Sequence, residues 1–174
     1  MTDAEGAAGE RGAARGDVRP PEVDADERAT LLTFLDYLRD AVAAKAAGVP
    51  EEAARTPGVP SGTSLLGLVR HLAAVEHNWF VWAYAGEGEL LPDDEPPEPG
   101  ATVGEALAAY RRAVRRSNGI VAACGRLDVP GARSLRETPP PTMRWILVHM
   151  IEETARHAGH ADILRERIDG SAGR

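Results

Sequence analysis

The chain has 174 residues and a formal net charge of −7, enough length to bury the core of one domain without disulfide support. Its one cysteine, Cys124, cannot close an internal disulfide, and the sequence does not open on a basic-then-apolar leader, so a cytoplasmic protein is expected. Charges interrupt every apolar stretch short of the ~20 residues a bilayer span needs, and the acidic balance argues against a general nucleic-acid surface, so neither a membrane nor a nucleic-acid partner is expected.

Residues 1–23 are rich in Gly, Ala and charge and poor in large apolar side chains, which predicts a disordered tail ahead of a domain over 24–170. From Asp24 or Asp26, either a candidate cap, the residues Leu31, Leu32, Phe34, Leu35, Leu38 and Val42 recur at helical spacing until Gly48 and Pro50, giving a first helix. After turn chemistry at 57–62, Thr63 or Ser64 opens a second helix whose apolar face carries Leu65, Leu68, Leu72, Val75, Trp79 and Trp82, running to Gly86. Between Leu90 and Gly100, Pro92, Pro96, Pro97 and Pro99 stand among acids, which predicts a long exposed connection that crosses the bundle or wraps over its end. Thr102 with Glu105 three positions on has the form of a capping box and starts a third helix. Its Arg111, Arg112, Arg115 and Arg116 read as a solvated face paired with nearby acids, with an anion-docking site as the alternative. A Pro-rich loop over 130–141 precedes a fourth helix from Thr142 to Ile168, with Gly170 placed as its C-terminal cap. No stretch alternates as a strand does, so the fold class is all-α, a four-helix bundle with a long crossover connection.

Chemistry concentrates on the fourth helix. Ile146, His149, Met150, Glu153, His157, His160, Leu164 and Ile168 share an arc of roughly 100°; this is a core-facing stripe in which half the side chains are polar or ionisable. Unpartnered, such groups would cost several kcal/mol to bury. Glu153 and His157, four apart, can reach one point, and His71, on the apolar face of the second helix, is the candidate third ligand. Two His and one Glu leave positions open on a divalent ion, as in catalytic sites. Spacing alone leaves the plainer readings standing: a hydrogen-bonded core histidine at His71, and a helical ion pair between Glu153 and His157. His77 points away from the apolar face. His149 and His160 read as supporting residues more readily than as ligands, Cys124 as a small buried hydrophobe, and Trp79, Trp82 and Trp145 as core or pocket wall.

The run Leu68-Val69-Arg70-His71-Leu72-Ala73 and the run from Trp145 to Asp162, which contains Glu152-Glu153-Thr154-Ala155-Arg156-His157, resemble the DinB-like superfamily. Within it the chain is similar to an uncharacterised subgroup close to the mycothiol-dependent enzymes. The resemblance covers about residues 26–170 and implies a metal-binding four-helix bundle, a possible homodimer, and a divalent metal ion held by His71, Glu153 and His157. Zinc comes first, with nickel, iron and manganese as alternatives that ligand type alone does not separate. Relatives with His at the Glu153 position are common, whereas Glu there is similar to the mycothiol-dependent isomerase branch. The implied activity is a metal-dependent thiol S-transferase or isomerase, taking a low-molecular-weight thiol as cosubstrate and a small electrophile as partner, with Arg144 or Arg156 as candidate thiol-binding groups. Two alternatives belong to other classes: a non-catalytic metal-binding or stress-related bundle protein, and a metal-dependent hydrolase using Glu152 or His160 in proton transfer.

Overall fold

The computed structural model describes residues 18–22 and 26–173; of the tail expected over 1–23, residues 1–17 and 23 lie outside the described residues, as does the candidate cap Asp24. Helix α1 (Glu27–Ala46) is capped by Asp26, whose side chain accepts from the Ala29 amide. Gly48, at φ +72°, turns the chain into a short helix α2 (Glu51–Arg55) that the apolar pattern does not predict. Five residues are too few to display a period. Helix α3 (Leu65–Glu76) starts at Ser64, whose hydroxyl accepts from the Gly67 amide.

The second long helix is not uniform. From His77 to Tyr84 it continues as a π-helix, so the expectation of one regular helix to Gly86 is corrected. The underwound turns shift side chains off the 3.6-residue period: Trp79 is buried, whereas Trp82 is half-buried, packing against the edge of the core with its ring beneath the Arg133 guanidinium, 5.2 Å from the centroid. Loop residues 131–133 add to this segment, with the Ala132 and Arg133 amides donating to the Tyr84 and Ala83 carbonyls. A Cβ on Gly131 would stand 2.8 Å from the Tyr84 Cα, so only glycine allows that approach.

Helix α4 (Val103–Ala123) opens with the expected capping box between Thr102 and Glu105. Helix α5 (Met143–Asp169) runs from Thr142, which caps the Trp145 amide, to Gly170 at φ +75°. No strand forms among the described residues, only one isolated bridge between Pro130 and Thr142. Helix α1 packs mainly on α5, and α3 on α4. The sole lysine, Lys45, is buried and ties α1 to α5 through Asp162 at 2.6 Å.

The core has two clusters. One gathers Val42, Leu66, Leu72, Leu107 and Leu164, and the other Leu35, Phe80, Val121, Ile146 and Met150. Leu72 belongs to the first and Val75 to the second; along α5, Met150 belongs to the second and Ala158 to the first. His71, Glu153 and His157 therefore stand where one cluster gives way to the other, on the facing sides of α3 and α5. No helix of the described residues is long and apolar enough to cross a membrane.

Candidate metal centre

His71 comes from α3 and Glu153 and His157 from successive turns of α5, as helical spacing requires. Both imidazole Nε2 atoms meet the same carboxylate oxygen: His71 Nε2 lies 3.1 Å and His157 Nε2 3.0 Å from Glu153 Oε1. The rings meet edge to face with centroids 4.7 Å apart, and one ligand atom from each of the three residues lies within 4.8 Å of the others. All three are half-buried, so the group is sheltered yet reachable.

The proton positions show what this cluster lacks. His71 Nδ1 is 2.6 Å from the Asp93 main-chain carbonyl. A carbonyl only accepts, so His71 Nδ1 carries the proton, and in the neutral ring Nε2 presents a lone pair to Glu153. His157 Nδ1 lies 3.3 Å from His160 Nδ1; when His157 donates there, its Nε2 also turns a lone pair on Oε1. In that tautomer acceptor faces acceptor at about 3 Å, an arrangement relieved by a cation between them, by a proton on either partner or by the other His157 tautomer. The donor set fits a divalent cation of borderline hardness, and the two Nδ1 contacts are the second hydrogen bonds that usually orient ligating histidines.

The electrostatic surroundings of these groups agree with that reading. Burial and the neighbouring His71 push His157 below its ordinary value of 6.5, outweighing the attraction of Glu153. Burial alone would raise Glu153, but its contacts with His71 and His157 prevail and hold it below the usual carboxylate value of 4.5. Both folded values are thus depressed relative to the unfolded chain. In the metal-free protein these groups contribute stability that is present above the unfolded values and is lost as pH falls through the folded ones. Ligation requires the deprotonated forms, so bound metal is expected to persist as pH falls past 6.5 and to be released only at lower pH. Following metal release by dialysis across pH 4–8 checks this; half-release at or above 6.5 would contradict it.

The other candidates separate cleanly. His149 packs between Trp79 and Trp145, with centroids 4.7 and 5.1 Å away, and burial lowers its pKa; it stands outside the group of three. His160 supports His157. Glu152 pairs with Arg156 on the exposed side of α5, and Arg144 with Glu27 at 2.6 Å, so neither arginine faces the three. Cys124 is buried, 3.0 Å from the Tyr84 hydroxyl.

What the sequence did not reveal is the role of the acidic, Pro-rich connection. His77 Nε2 donates to the Glu89 carbonyl at 2.9 Å. The buried Asn78 side chain brackets Leu91, donating to its carbonyl at 2.8 Å and accepting from its amide at 2.9 Å. His71 holds Asp93, and Arg70 donates to the Pro96 carbonyl at 3.2 Å. The chain from 89 to 96 is therefore a strap along the face of α3 and its π-helical extension, and one of its carbonyls fixes the His71 tautomer.

The model of the mycothiol-S-transferase family matches residues 30–170. The chain belongs to that family. It is a DinB-like family, and the match spans every helix described above apart from the first turn of α1. The crystal structure of a conserved protein from Enterococcus faecalis superposes with a TM-score of 0.63 at 18% identity, covering 84% of this chain and 99% of that one. At that identity the likeness shows the shared bundle fold. No curated protein matches the chain.

Proposed function

We propose that this member of the mycothiol S-transferase family binds one divalent metal ion, zinc by preference, at His71, Glu153 and His157, and transfers a mycothiol-type thiol to a small electrophile. The observation that carries the reading is the pair of imidazole Nε2 atoms converging on Glu153 Oε1 while both Nδ1 atoms are engaged elsewhere. When bound, such an ion supplies Lewis acidity that favours the thiolate over the thiol at neutral pH.

The chain's own residues do the rest. His71 and His157 present neutral nitrogen, and Glu153 brings one negative charge, so the set leaves positive charge uncompensated for an anionic sulfur. The Asp93 carbonyl keeps His71 in the required tautomer, and His160 offers an acceptor to His157 Nδ1. Asn78 holds the strap that carries the Asp93 carbonyl. The overall change is a substitution: the S–H proton goes to solvent, a sulfur–carbon bond forms, and the leaving group departs with its electron pair. No protein nucleophile is required, consistent with Cys124 lying apart from the three.

Metal-loaded protein incubated with mycothiol and an alkyl halide is expected to form the thioether faster than the uncatalysed mixture, and chelation is expected to remove the difference. A rate equal to that of the uncatalysed mixture would overturn the transfer reading.

A further inference from the structure

Beside His71, between α3, α4 and the strap, lies a cavity of about 520 Å³, a volume suited to a small-molecule site. Arg70, Arg112 and Arg116 line it together with the strap residues Asp93 and Glu95, over a floor of small side chains such as Ala74 and Ala109. Guanidinium groups only donate hydrogen bonds, and carboxylates only accept them. A ligand matched to both must donate and accept at several positions while carrying little net charge. A polyanion would meet Asp93 and Glu95, and an organic cation would meet three arginines. The lining contains no Phe, Tyr or Trp, so it offers no broad aromatic face for stacking. A hydroxyl both donates and accepts, and a ring bearing several hydroxyls fits this mixture where the other classes do not.

Two further observations point the same way. Arg112 has no hydrogen-bond or ion-pair partner among the described residues, whereas Arg116 pairs with Glu87 and Arg70 with the Pro96 carbonyl, so one donor fork is available. His71 belongs both to this lining and to the group of three, so a molecule filling the cavity touches the ring that faces Glu153.

We infer that this cavity is the subsite for the neutral, polyhydroxylated body of the cosubstrate thiol, with Arg112 as a hydrogen-bond donor to its hydroxyls. The inference deepens the thiol-transfer reading and rests on it for the identity of the ligand. It also assigns a role to one of the four arginines of α4 and moves thiol recognition from Arg144 and Arg156 to the opposite flank of His71.

The test uses the whole metal-loaded chain and the N-acetylated, thiol-free pseudodisaccharide of mycothiol, a neutral acylated amino sugar joined to a cyclitol, with binding followed by ligand-observed NMR titration. Losing a hydrogen bond from a charged donor corresponds to at least about a tenfold change in affinity, so Arg112→Ala is expected to weaken binding by about that factor. Ala109→Trp, which fills the floor, is expected to weaken it further, and Arg144→Ala to leave it unchanged. Arg112 is exposed, so its truncation leaves the fold intact and the comparison stands even if the tryptophan variant does not fold. No binding by the parent protein, or equal affinity in the parent and Arg112→Ala, would overturn the assignment. Saturable binding that depends on Arg112, in a protein that forms no thioether, would sustain the subsite and overturn transfer instead.

Discussion

Replacing His157 with alanine is expected to empty the metal centre. The parent protein should purify with close to one equivalent of divalent metal, and the variant with almost none. Supporting contacts around a metal typically change affinity by about 10–100-fold, so removing a ligand should exceed roughly 100-fold. The consequence for folding follows by mass action, since a ligand that binds only the native state stabilises it by RT ln(1 + [L]/Kd), or about 4 kcal/mol at a thousandfold excess over Kd. Added zinc should thus raise the melting temperature of the chelated parent and leave that of His157→Ala nearly unmoved. His157 is half-buried, and its contacts are with Glu153, His71 and His160, so the metal-free variant should still fold. The pair of measurements then separates ligation from ordinary packing. Equal metal content in both proteins, or no metal in either and no thermal response to zinc, would mean that the three side chains are only a hydrogen-bonded contact between α3 and α5.

How much of this was legible in the sequence depends on whether the deciding chemistry was local. Thr102 with Glu105, Thr142 and Gly170 mark helix ends by interactions that span three or four residues, and each stands where the pattern puts it. His71, Glu153 and His157 were legible because ionisable groups in an apolar stripe demand a partner, and because the helical period holds along α3 to Glu76 and through α5. Beyond Glu76 it fails, and Trp82 ends half-buried at the edge of the core. The strap was opaque for a different reason. His71, Asn78, His77 and Arg70 hold it by its main chain, so the identities of Glu89, Leu91, Asp93 and Pro96 carry no trace of the contact. The same holds for Arg112, whose exposure resembles that of Arg111 and Arg115 until the cavity beside it is seen.

The interaction least visible in the sequence is expected to matter most to stability. Arg39 on α1 and Glu76 at the end of α3 are 37 positions apart, and both are buried, 2% and 0% exposed. They form a two-pronged pair, Nε to Oε1 and Nη2 to Oε2, both at 2.7 Å. Arg39 Nη1 also donates to Asp36 and Asn118 at 2.7 Å, joining α1, α3 and α4. Burial by itself would lower the arginine's pKa, but Glu76 and Asp36 outweigh it and raise the value, so the guanidinium stays charged. Glu76→Leu removes the partner and leaves that charge in a nearly dry site, at a cost of about 3–5 kcal/mol. For a chain of this size that corresponds to a melting temperature lower by roughly 6–20 °C. The double variant Arg39→Met with Glu76→Leu should recover most of the loss, because replacing a whole buried pair with apolar groups is often neutral. It should also retain the metal content of the parent, since neither residue belongs to the group around Glu153. Urea unfolding of the single and double variants measures both terms. A loss below about 1 kcal/mol in Glu76→Leu, the size of an exposed pair, would show that water reaches Arg39 and that the three-helix junction is held by apolar packing alone.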